Sequence, residues 1–103
     1  MKRGEVRWYK FSMPDKRRPV VILTRESALE FLNEVTVATV TSTIRDIPSE
    51  VLLTEADGMQ KSCAANLDHI QTVAKAKIGP LITTLSHRKM TELRSACFFA
   101  LGF

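Results

Sequence analysis

Cysteine is scarce in this chain, and its scarcity narrows the chemistry. Only Cys63 and Cys97 occur among 103 residues, and neither stands in a Cys-x-x-Cys pair. His69 and His87 are not at ligand spacing to them, so a structural zinc site, which needs four ligands in a tight pattern, is excluded. Two cysteines in apolar surroundings read as reduced core residues. Long apolar runs are also missing. Nothing approaches the roughly 18 residues of a membrane span, and the N-terminus lacks the apolar stretch of a secretory signal. A cytoplasmic location with no membrane partner is therefore expected. There is no P-loop, G-x-G-x-x-G, H-E-x-x-H or G-x-S-x-G pattern, which leaves those nucleotide, metalloprotease and serine-hydrolase classes without support. No metal and no cofactor is expected.

What is present starts with charge. The net charge is +4, and it is unevenly placed. Residues 1–25 hold eight basic residues against two acidic ones, whereas the remainder holds seven against nine. A basic N-terminal surface suits a polyanionic partner. Apolar residues make up 45% of the chain, enough for a core without staples. The length fits one compact domain over residues 1–103.

Periodicity predicts mostly strands. Glu5–Phe11 alternates, with Val6 and Trp8 on one face and Arg7, Tyr9 and Phe11 on the other. Ser12–Arg18 reads as a turn around Pro14 and Asp15, followed by a buried strand over Val20–Thr24. Arg25–Asn33 reads as a short helix or ordered loop. Glu34–Ser42 alternates strongly as a strand. Further strands are expected over Ser49–Thr54, Lys61–Ala65 and His69–Val73, with a helical turn within Ala74–Gly79. Ser86 reads as the N-cap of a last helix carrying Met90, Leu93, Cys97, Ala100 and Leu101 at helical spacing. Strands followed by one closing helix imply a mainly β fold: a small, strongly curved antiparallel sheet or small barrel with a C-terminal helix packed on it.

Four groups of residues could carry chemistry. Lys16-Arg17-Arg18 precede Pro19 and a β-branched run, which places cations at the mouth of a strand. Arginine offers a planar fork of donors for phosphate oxygens; the alternative is a solvated basic loop. Thr41 and Ser42 end a strand, where hydroxyls can bind a phosphate or serve simply as strand and turn residues. Asn66-Leu67-Asp68-His69 could supply a base, although an Asx-turn accounts for the same residues. Trp8, Tyr9 and Phe11 could stack nucleobases if exposed, with core packing favoured for at least two of them.

The order of these blocks along the chain is more specific than any one of them. Gly4-Glu5-Val6-Arg7-Trp8, Arg18-Pro19-Val20-Val21-Ile22-Leu23, Val37–Ser42, Ile47–Leu53 and Ala65–Val73 together resemble the MazF/PemK family of toxin endoribonucleases over nearly the whole chain. The resemblance implies an SH3-like β-barrel of the CcdB/PemK type with a C-terminal helix, a homodimer, a cognate antitoxin protein and metal-independent, sequence-specific cleavage of single-stranded RNA. It implies Arg18, Thr41 and Asp68 as catalytic residues, with Lys16, Arg17, Ser42, Asn66 and His69 around the substrate. Some relatives carry arginine at the place of Asn66 and glutamine at that of His69. Many have a longer Gly-Ser-Glu-Gln type loop where this chain has Ser12–Arg17, so a more open groove is expected. Two other readings keep the barrel but not the activity: a CcdB-like gyrase-binding toxin and a non-catalytic nucleic-acid-binding barrel. The arginine–threonine pair argues against the first, as does the lack of a terminal Trp-Gly-Ile type tail.

Overall fold

In the computed structural model, which describes residues 1–11 and 16–103, side-chain alternation organises the first three strands. β1 (Glu5–Phe11) sends Val6 into one buried cluster and sets Tyr9 and Phe11 against another. β2 spans Lys16–Ile22 and β3 spans Glu34–Thr41. On β3, Ala38 and Val40 face the first cluster with Val21, while Val35 and Val37 face the second with Val20 and Ile22. A strand buried on both faces needs side chains that are apolar or small in both registers, which β3 supplies.

The remaining elements are β4 (Glu50–Leu53), β5 (Cys63–Ala74), β6 (Ile78–Thr84), a short helix α1 (Glu26–Leu29) and the closing helix α2 (His87–Leu101). All strand pairings are antiparallel, in the order β4-β5-β3-β2-β1-β6. Leu29 of α1 closes the second cluster, and Leu93 and Ala96 of α2 close the first. The Ser86 hydroxyl accepts a bond from the Lys89 amide at 3.2 Å, the expected N-cap. The helix ends at Gly102, whose φ of 80° favours glycine. The expected mainly β architecture with a C-terminal helix is what the chain forms.

Three boundaries differ from expectation. β2 begins at Lys16, so the three cations lie on the strand itself, opposite Phe11, Lys10 and Tyr9 of β1. Pairing with β1 supplies the order that charged residues do not supply by themselves. Residues 12–15, where most of the short first loop falls, lie outside the described residues. Residues 63–74 form one strand rather than two, bent where three residues leave the pairing with β3. β6 was not expected, because Gly79-Pro80 reads as a break. It is an edge strand, where proline is tolerated. Its irregular register is bridged by Arg7, whose guanidinium donates to the Glu5 carboxylate at 2.8 Å and to the Gly79 carbonyl at 3.1 Å. Burial pushes the Glu5 carboxyl up, but the Arg7 hydrogen bond and charge and the Lys2 backbone bond leave it net below its ordinary value.

Candidate active site

The antiparallel register sets Val20 of β2 opposite Thr39 of β3. Beyond that pair, Arg18 of β2 and Thr41 of β3 both line an open cleft of about 370 Å³. Lys16, Arg17 and Pro19 line the same cleft from β2, and Ser42 and Thr43 line it from the end of β3. Opposite them stand Met59, Gln60, Lys61 and Cys63, with Trp8 and Ile82 completing the wall. Among the described residues the lining holds four cations and no carboxylate, so the cleft favours an anion.

Local bonding prepares the two central groups. The Thr41 hydroxyl oxygen accepts the Thr43 amide hydrogen at 3.1 Å, which leaves its own hydrogen to donate elsewhere. Arg18 is exposed at the strand mouth, with its backbone fixed by the pairing to Tyr9. The Arg17 guanidinium lies over the Trp8 ring, 4.6 Å from its centroid, in a cation–π stack. Trp8 is thus half-buried in the cleft wall, whereas Tyr9 and Phe11 meet edge-to-face at 4.7 Å against the second cluster. The Cys63 thiol at the cleft floor is pushed up by burial and by the Asp57 charge, so it stays neutral and is a poor nucleophile at neutral pH.

Asn66, Asp68 and His69 are placed differently. Ala38 pairs with Ile70, but the next residue, Thr39, pairs with Asn66, so Leu67, Asp68 and His69 form a bulge in β5. The buried Asn66 carbonyl oxygen accepts the Asp68 amide at 2.9 Å, and the Ser49 hydroxyl donates to the Asp68 carboxylate at 2.5 Å. The Leu67 amide donates to the Ser49 carbonyl at 2.8 Å. None of the three lines the Arg18–Thr41 cleft. Conversely, Gln60 and Lys61 line it without having been singled out in the sequence. They sit between the turn over Glu55–Asp57 and the start of β5, and only their position just before a strand hints at the site. Among the described residues, no group of three or more His, Cys, Asp or Glu is placed to hold a metal ion.

Residues 2–97 match the family model described as PemK-like, MazF-like toxin of type II toxin–antitoxin system. The chain belongs to this toxin family. It is 35% identical over 96 residues to the probable endoribonuclease MazF5 of Mycobacterium tuberculosis, covering 92% of this chain and 84% of that protein. Its structure superposes on the Mycobacterium tuberculosis toxin MazF-mt6 with a TM-score of 0.88 at 30% identity, covering 96% of this chain and 97% of the other. A mycobacterial endoribonuclease in complex with its cognate antitoxin shares the fold, with a TM-score of 0.87 at 23% identity over 100% of this chain and 96% of that one. The MazF-like fold therefore sets the frame for the cleft. No helix among the described residues is long and apolar enough to cross a membrane.

Proposed function

We propose that this chain is the toxin of a toxin–antitoxin pair and a metal-independent endoribonuclease that cleaves single-stranded RNA. The observation that carries the reading is the cleft that Arg18 and the oriented Thr41 hydroxyl line together with further cations, in a chain of the MazF-like family. RNA brings its own nucleophile. The 2′-oxygen attacks the adjacent phosphorus and loses its proton, the bond from phosphorus to the 5′-oxygen breaks, and that oxygen gains a proton. A 2′,3′-cyclic phosphate remains. The protein must hold this geometry and stabilise the dianionic phosphorane. Arg18 supplies two directed N–H donors and full charge for that task, and Thr41 supplies a hydroxyl donor. Lys16 and Arg17 steer the phosphodiester, and Ser42 contacts it at the cleft rim. No metal is required by these roles.

Asp68, expected as the base, lies outside the cleft with one carboxylate oxygen engaged by Ser49. We assign it, with Asn66, to holding the β5 bulge, and His69 to the exposed surface beside it. The described cleft residues then act by charge stabilisation and positioning. Residues 1–103 serve as a single toxin domain. The family and the exposed Phe98, Phe99, Leu101 and Phe103 of the C-terminal helix and tail support a homodimer. An acidic antitoxin segment suits the cationic cleft, and a cytoplasmic site of action follows from an RNA substrate. A gyrase-binding role is not favoured by the relatives, which are named endoribonucleases. The test is incubation of the chain with defined single-stranded RNA in EDTA. Cleavage with cyclic-phosphate ends is expected, and intact RNA would overturn the reading.

A further inference from the structure

We propose that Gln60 and Lys61, with the stacked Trp8–Arg17 pair, form a subsite that selects one nucleobase of the bound RNA. In it, the base lies against the Trp8–Arg17 stack, Gln60 reads the base edge, and Lys61 holds the neighbouring phosphate. The inference rests on the endoribonuclease reading only for placing that base next to the cleaved bond; the subsite itself is a statement about RNA binding.

The loop that carries Gln60 and Lys61 is exposed at its tip and fixed at both ends. Met59 and Cys63 are buried on either side of it. Before it, Thr54 and Asp57 cap a 3₁₀ turn over Glu55–Asp57, with the Thr54 amide donating to the Asp57 carboxylate at 2.8 Å. The Met59 amide donates to the Thr54 carbonyl at 3.2 Å, and the Thr83 hydroxyl donates to the Asp57 carbonyl at 2.9 Å. Gly58 has φ of 95°, and a Cβ there would lie 2.2 Å from the Thr83 hydroxyl oxygen. Two polar side chains are thus held out over the cleft by a loop with little freedom of its own, which is the preorganisation that recognition requires.

The chemistry of the wall matches a base and its phosphate. A glutamine amide offers two donors and an acceptor, the complement of an exposed base edge in single-stranded RNA. The Arg17–Trp8 stack presents a flat, polarisable surface of the kind on which bases stack. Lys61 supplies charge that is indifferent to sequence. An acidic peptide would use the cations but would give no role to the amide or the aromatic plane.

Trp8 is the sole tryptophan, so its emission reports this wall. The full chain is titrated in EDTA with single-stranded RNA heptamers bearing A, C, G or U at the centre, flanked by mixed sequence, and a 2′-deoxy sugar at the centre. Wild type is expected to show altered Trp8 emission on binding and about tenfold discrimination among central bases, in line with a directed amide–base contact. Gln60→Ala is expected to bring the four affinities within about twofold while the emission change persists. Lys61→Ala is expected to weaken all four alike and to flatten the salt dependence. Discrimination unchanged in Gln60→Ala overturns the subsite, as does wild type without base preference or an emission response to polyglutamate but not to RNA. The all-ribose heptamers separate the two readings. Loss of discrimination in Gln60→Ala without any cleavage by wild type sinks the nuclease but keeps the subsite. Cleavage with unchanged discrimination does the reverse. Gln60 is exposed, and a thermal melt matching wild type confirms that the variant folds.

Discussion

The mouth of β2 and the bend of β5 both carry polar side chains at the margin of a buried sheet, yet they treat them oppositely. Among the described residues, Lys16, Arg18 and Lys61 face a shared cleft without an ion-pair partner. At the bend, Asp68 bonds both Ser49 and Asn66, and one Glu50 oxygen accepts the Arg45 and Asp46 amides at 2.9 and 3.1 Å. Among the described residues, the second Glu50 oxygen is buried without a hydrogen-bond partner. Gathering like charges costs self-repulsion, so a cluster left unneutralised is a place that awaits an anion. A bonded polar network instead stiffens the chain that forms it. The difference teaches that bonding state, more than residue type, separates the proposed reacting cleft from the bend of β5.

The largest expected effect falls on the cleft. Arg18→Ala should lower RNA cleavage by about 10²–10³-fold, the cost of losing a charge-stabilising donor, with the melting temperature held because Arg18 is exposed. Initial rates and a thermal melt on one preparation check both halves. Thr41→Val should follow, with a loss of about tenfold from one neutral hydrogen bond. The support should respond the other way. Ser49→Ala removes the donor to Asp68 and should cost about 1 kcal/mol of stability, while cleavage stays within about twofold of wild type. A general base at Asp68 would instead make Asp68→Asn cost about 10² or more in rate and erase a limb of the pH profile; finding that would collapse the distinction between the regions. The smallest effect concerns Glu5. Its folded pKa lies below its ordinary value of 4.5, so its stabilising contribution is full above that value and fades as pH falls through the lower folded one. Glu5→Gln should therefore flatten the acid limb of a stability–pH curve measured by denaturant melts.

Much of this frame was legible in the residues. Alternation along Glu34–Ser42 announced a strand, and Ser86 announced the last helix. Arg18 and Thr41 could be paired through the order of blocks along the chain. What was hidden depended on partners. Lys16–Arg18 read as a turn because charge and proline say nothing of the β1 residues that pair with them. Asn66–Asp68 looked like a gap between two strands, since a bulge leaves the same local signature as a turn. Gln60 and Lys61 enter the cleft only because Met59 and Cys63 are anchored around them. The Ser49 hydroxyl that bonds Asp68 could not be anticipated, because it lies 19 residues away.

Metal-independent cleavage of RNA at the proposed Arg18–Thr41 cleft is tested most directly by incubating wild type and Arg18→Ala with a defined single-stranded RNA in EDTA and mapping the ends and their phosphates. Wild type is expected to make cuts that leave 2′,3′-cyclic phosphates, with a loss of about 10²–10³-fold in Arg18→Ala. Cleavage by Arg18→Ala at the wild-type rate, or activity that appears only when magnesium is returned, would contradict it.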